Sequence, residues 1–347
     1  MRATFSKTLF TILVVVLLVL GAIAGYAAWR LNRNDGNYDA QREAAAQLKT
    51  LQESLRNTDL PQDSRDALNS DLSTQLEALN RTAVDEAQAD SHATPTTRAN
   101  AGKNLDDAAE RLYALAGTPG IETDESAVLI SISVSQWSSA RLIDGSISDL
   151  GNPDSAGSQS LSHMTGLSRG DSFEGSGLCP AVSEQESASA SNSASASQAP
   201  DAQDSEELAS LLKGLYRSTW AESYYQARSD VDGIPDSTTR LVGESSSIHD
   251  DQLRSLRAAL GKSCSSIPQP KAAYSIEDHG EQNPAQVLAE QAEYLAQQSL
   301  SVVKSDPAAT GQATGPDSWR AWGTTSLALN TALAARETSD VPALPGV

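Results

Sequence analysis

The 347-residue chain carries 45 acidic against 25 basic residues, a formal charge of −20. Such a balance excludes nucleic acid as a partner, because binding phosphates needs a positive footprint, and an anionic membrane surface repels it. Aromatic residues make up only 5% of the chain. Outside the loops Ala, Leu, Glu, Gln and Arg dominate, a helix-forming composition with few stretches that alternate as strands do.

The chain opens with Arg2 and Lys7, then runs from Leu9 to Ala28 without a charge, then reaches Arg30 and Arg33. At about 1.5 Å per residue, roughly 20 apolar residues cross a bilayer core of about 30 Å. The segment is apolar on every face, which suits lipid, and Tyr26 and Trp29 at its end fit an interfacial belt. Residues 1–33 are therefore expected to be a cytoplasmic tail and a transmembrane anchor. A cleaved signal peptide is the competing reading, with Ala22-Ile23-Ala24 or Gly25-Tyr26-Ala27 as cleavage sites, but signal cores usually run only about 7 to 15 residues. The positive charges at the two ends nearly tie, and long domains can be exported regardless of such counts. The body's composition therefore sets the expectation, and it points to the extracytoplasmic side. Four of the 25 basic residues precede residue 34, leaving 21 against 45 acidic ones, a net −24 for the exported part. A solubilising surface explains that charge.

The body is long enough for two domains. In residues 38–150, Ala44, Ala45, Leu48, Leu51 and Leu55 mark a first helix, stopped by Asp59-Leu60-Pro61. Leu68, Leu72, Leu76 and Leu79 continue into Ala83 and Ala87 as a second, fading near Ser91. Leu105, Ala108, Ala109, Leu112 and Leu115 mark a third, closed by Gly117 and Pro119. Residues 124–150 carry Val128, Ile132, Ser135, Ser139, Leu142 and Ile143 at helical spacing, with Trp137 as a core plug. The Leu-Ile-Ser-Ile-Ser-Val run inside them reads equally as a short strand, so helix and strand both stand. Four helices with short turns predict an antiparallel bundle.

Residues 151–204 are expected to be a Gly/Ser/Ala-rich loop and a disordered linker, because a segment with few large apolar side chains cannot offset its chain entropy by burial. Beyond it, residues 205–347 give four more helical stretches and a C-terminal tail. Leu208, Leu211, Leu212, Leu215, Tyr216, Thr219 and Trp220 share one face of the first. The second begins near Asp236, an N-cap candidate, and carries Leu241, Val242, Ile248, Leu253, Leu256 and Leu260 to a stop at Gly261. Asn283-Pro284 is start chemistry for the third, and the fourth follows Asp317 with Trp319, Trp322, Leu329 and Leu333. The fold class expected is all-α: one transmembrane helix, then two antiparallel four-helix modules.

In the second module, Trp220-Ala221-Glu222-Ser223-Tyr224-Tyr225, Ile248-His249-Asp250-Asp251-Gln252-Leu253-Arg254, Pro268-Gln269-Pro270-Lys271-Ala272-Ala273-Tyr274 and Ala343-Leu344-Pro345-Gly346-Val347 resemble the actinobacterial ferritin-like domain of unknown function DUF4439. That resemblance covers about the last 140 residues. It implies a four-helix bundle on an envelope protein, implies no established activity, and strengthens the exported orientation.

A di-iron bundle site wants a Glu from each of two helices and Glu-x-x-His from the other two. Glu222 lies on the core face of its helix and His249 shares a stripe with Leu253, Leu256 and Leu260, so these two are the metal candidates. Glu290 and Glu293 stand on the third helix, and the fourth has no acidic residue or His between Trp319 and Arg336. With no Glu-x-x-His on any of them, the expectation is a hydrogen-bonded structural pair with no metal and no cofactor. His92, His163 and His279 have no companion at ligand spacing. Gly166-Leu167-Ser168-Arg169-Gly170 has the form of a nucleophile elbow but lacks the strand and helix that an elbow needs, so no catalytic residue is expected.

Cys179 and Cys264 are the only cysteines, and in an exported domain they are expected to pair. The function expected is a non-enzymatic, membrane-anchored scaffold, or an accessory or assembly subunit of an envelope complex with a protein partner. The alternatives are a degenerate ferritin-like metal or redox protein using Glu222 and His249, and a small-molecule binder whose bundle core is lined by Trp220, Trp319 and Trp322.

Overall fold

The computed structural model describes residues 36–56, 58–90, 97–175, 177–181, 203–274, 283–306 and 318–347. The expected anchor at 9–28 lies outside the described residues, as do His92 and His279. Among the described residues no helix is long and apolar enough to cross a membrane. The described chain is mostly helical.

The first half builds α1 (Gly36–Leu55), α2 (Gln62–Ala78), α3 (Arg81–Glu86), α4 (Arg98–Ala116) and α5 (Thr123–Asp144). The stripe expected to run from Leu68 to Ala87 as one helix is broken after α2. Leu79 is extended, and the Asn80 side chain accepts from the Thr82 and Ala83 amides, so a local side-chain cap outcompetes continued periodicity. Of residues 124–150, those to Asp144 are α-helix, not strand. Alpha5 ends at Gly145, whose φ of 79° is the left-handed conformation that lets a chain leave a helix without a Cβ clash, and a 3₁₀ turn at Ser146–Asp149 follows.

Of residues 151–204, expected as loop and linker, 176 and 182–202 with the Ser/Ala tract lie outside the described residues, and the rest hold more structure than a loop. They contain α6 (Ala156–Thr165), capped by Ser155, and two short strands, β1 (Leu178–Pro180) and β2 (Gln203–Ser205), paired in parallel. Leu161, Met164, Leu167, Phe173 and Leu178 are all buried. Spaced among Ser and Gly, these few apolar anchors are enough to seat the segment, although its average composition reads as a loop.

The second half builds α7 (Glu206–Asp232), α8 (Asp236–Ser263), α9 (Pro284–Lys304) and α10 (Trp319–Thr338). Asn283 caps α9 by accepting from the Ala285 amide, with Pro284 in its first turn. Two expected boundaries shift. Pro235, not Asp236, is the N-cap of α8, and Gly261 lies inside that helix, which runs on until Cys264 turns extended. Gly is tolerated within a helix at a modest cost when tertiary packing sets the end. Alpha7 packs on α8 and α9, and α9 on α10, so the four helices enclose common ground.

Alpha5 and α10 are buried nearly all round, from Ser126 to Arg141 and from Trp319 to Ala335, and they pack on each other. Their weak amphipathicity follows from that position, since a helix with neighbours on every side needs no polar face. The larger apolar cluster accordingly runs through both halves of the chain, from Ala40 to Val341. The C-terminal tail is stitched to the first half by buried polar groups: Gln75 Nε2 donates to the Ala343 carbonyl at 3.0 Å and Ser131 Oγ to that of Pro345 at 2.8 Å. A second cluster gathers Leu208, Leu212, Leu215, Leu256 and Leu260 with Phe173, Trp319 and Trp322.

Cys179 of β1 and Cys264, just past α8, form a disulfide with Cα atoms 5.6 Å apart across 85 residues of sequence. In the loop-entropy model such a crosslink is worth about 4 kcal/mol. It ties the segment before β2 to the far end of the second helical layer.

Candidate functional site

The polar centre of the second half grows from three helices. Glu222 occupies the core face of α7 and is fully buried, as is His249 on α8. The His249 Nδ1 lies 2.6 Å from Glu222 Oε1, which also accepts from Ser245 Oγ one turn earlier on α8. On its other side His249 Nε2 is 2.9 Å from Asn330 Oδ1 of α10. The orientation of Asn330 is fixed by its amide nitrogen, which donates to the Ser326 carbonyl at 2.8 Å; turning the amide over would set two acceptors against each other. Asn330 Oδ1 therefore accepts from His249, and so does Glu222.

Both ring nitrogens thus face acceptors, which is the environment of an imidazolium. Burial pushes the His249 pKa down. The Glu222 charge and its hydrogen bond, with the bond to Asn330, outweigh this, so the net shift is above the ordinary 6.5. A charge this deep is tolerable only because a partner balances it.

The two metal candidates are therefore brought together, but in direct hydrogen-bond contact, and neither nitrogen of His249 presents a lone pair. Among the described residues no group of three or more His, Cys, Asp or Glu side chains converges as a metal site would require. Glu290 and Glu293 are exposed on α9, and Glu290 accepts from Gln286 at 3.1 Å. His163 is exposed on α6, with Nδ1 3.4 Å from Glu110 Oε1.

Comparison with known protein families, characterised proteins and solved structures gives no match. The geometry therefore has to carry the functional reading.

The Gly166–Gly170 motif follows α6 and precedes no helix. Ser168 Oγ lies 3.0 Å from Ser162 Oγ, with no base beside it among the described residues. The consequential residue there is Arg169, which sequence reasoning passed over. Its buried guanidinium reaches the carboxylate of Asp251 at 2.8 Å, the Leu150 carbonyl at 2.7 Å and the Gly151 carbonyl at 2.9 Å, clamping the segment after α5 onto α8. Arg141 is similarly buried against Asp106 and Asp144, and the half-buried Arg336 pairs with Glu244.

The tryptophans do not line a core pocket together. Trp319 and Trp322 pack on Phe173, with ring centroids 5.0 and 5.4 Å away, and fill the second cluster. Trp220 is half-buried, stacks on Tyr224 and sits 6.2 Å from the Tyr274 ring. A cavity of about 580 Å³ opens at the surface between α7, α9 and the 269–274 segment.

Proposed function

We propose that the protein is a membrane-anchored extracytoplasmic helical scaffold, an accessory or assembly subunit of an envelope complex, held by residues 9–28 and without a reaction of its own. In this reading the body is two helical layers sharing the α5–α10 seam, the second of them a four-helix layer, ferritin-like in the manner of the DUF4439 resemblance.

The observation that supports the reading is that most of the bundle's chemistry-bearing side chains engage one another. Glu222 Oε1, His249, Asn330 and Ser245 form a hydrogen-bonded set inside the core, with Glu222 Oε2 left unpaired, and Arg169, Arg141 and Arg336 are engaged in interhelical or loop clamps. Such networks give rigidity and a defined surface, which a docking body needs. The Cys179–Cys264 pair supports the exported side, because disulfides persist in oxidising compartments.

Tagging with a maleimide polymer in intact cells tests the location. The exported reading expects membrane-fraction protein that takes no tag until reduced; two tags without reductant would place the body in a reducing compartment. Elemental analysis of the same preparation addresses the metal alternative. Stoichiometric iron or manganese lost in Glu222→Ala would put that alternative first.

A further inference from the structure

The surface cleft differs in charge from the rest of the molecule. Among the described residues, Arg217 of α7 and Lys271 of the following segment bring two exposed cations to its lining, beside the carboxylate of Glu290. In a chain with 45 acidic and 25 basic residues, a concave lining whose described charges are mainly basic runs against the background and favours anions.

Its lining includes two aromatic rings, those of Tyr274 and of Tyr294, the latter 43% exposed. The segment carrying Lys271 and Tyr274 is tied down at its start by the Cys264 disulfide, and again where Tyr216 Oη donates to the Pro268 carbonyl at 3.1 Å. Tyr274 Oη in turn accepts from the Lys271 amide at 3.1 Å. The floor needs Gly214, because a Cβ there would sit 2.8 Å from the Tyr294 ring and 2.9 Å from Leu295. The volume, about 580 Å³, lies in the range of small-molecule sites.

We propose that this cleft binds a small organic oxyanion bearing a flat apolar group, the charged head held by Arg217 and Lys271 and the flat group packed on Tyr274 and Tyr294. Arg217 supplies a planar fork suited to carboxylate or phosphate, and Lys271 adds a point charge. Tyrosine faces give apolar area at little conformational cost. The site lies outside the Glu222–His249 centre and does not depend on the scaffold reading.

The test is titration of the full chain in a non-ionic detergent with phenyl phosphate, benzoate and inorganic phosphate, read by calorimetry and by the emission of Trp220, whose ring neighbours Tyr274. Saturable binding of phenyl phosphate or benzoate, at least about tenfold tighter than inorganic phosphate, is expected, and the tighter of the two names the head group. The double variant Arg217→Gln/Lys271→Gln should weaken it by about tenfold or more. Tyr294→Ala should weaken the aryl anions while leaving inorganic phosphate unchanged. Lys103→Gln, an exposed lysine on α4 paired with Asp107, should change nothing. No saturation by any of the three up to about 10 mM, or equal affinity in the double variant with an unchanged helical spectrum, overturns the proposal. Inorganic phosphate binding as tightly as phenyl phosphate overturns it equally, because the tyrosine rings would then contribute nothing.

Discussion

Truncating Glu222 to Ala removes the carboxylate that faces His249 and Ser245 in a fully buried position. At about pH 8 the orphaned imidazole can stay neutral, so the loss is that of the buried hydrogen bonds, about 1 to 3 kcal/mol. Acid makes it worse. In the wild type the folded pKa of His249 lies above 6.5, so its contribution is fully present below pH 6.5 and is lost as pH rises through the folded value. In the variant burial is opposed only by the Asn330 hydrogen bond and the Asp250 charge, so the folded pKa falls from its wild-type value and the deficit grows as pH drops. At about pH 5.5 the deficit is therefore larger than at about pH 8. Urea unfolding of the full chain followed by circular dichroism across this range measures the difference directly. A deficit independent of pH, or one below about 0.5 kcal/mol throughout, would refute the charged-pair reasoning.

Arg169→Ala should cost about 3 kcal/mol in the same urea assay, because it leaves Asp251 and two loop carbonyls without their buried cation; a loss under about 1 kcal/mol would show the clamp to be incidental. Asp71 is half-buried, and its pKa is raised to about 6, chiefly by burial and then by Asp340. Ionising it costs the folded state stability as pH rises from 3.8 through about 6. Asp71→Asn should therefore stabilise at neutral pH by about 1 kcal/mol after discounting for solvent screening, with the gain gone below about pH 4. Cys179 precedes and Cys264 follows the Ser/Ala tract, so cutting at a protease site inserted between residues 181 and 203 should give two fragments that migrate together until reduced. Separation without reductant would contradict the crosslink.

Helical periodicity made α1, α2, α4, α7, α8 and α9 readable, because each buries one stripe and leaves a polar face. The same rule left α5 open between helix and strand, since a helix surrounded on all sides shows no stripe; its serines point inward and bond to Ala109 and Pro345 carbonyls. Glu222 and His249 were readable as neighbours because both occupy core stripes of consecutive helices. Asn330 was not, because α10 is buried nearly all round and offers no pattern that singles out one polar residue. Arg169 sat within a Gly/Ser-rich segment where composition signals a loop, and only three-dimensional proximity to Asp251 shows that its charge is buried. Alpha6 and the two strands were hidden for the same reason, their few apolar anchors diluted by Ser and Gly. The basic cleft draws Arg217 and Lys271 from separated stretches of an acidic chain, so no local charge run announces it.

Affinity purification of the full chain from its native membranes after mild crosslinking bears most directly on the scaffold assignment. The account predicts recovery with a distinct envelope protein in fixed stoichiometry, retained without crosslinker in mild detergent. Recovery as an isolated monomer, with or without crosslinker, would contradict it.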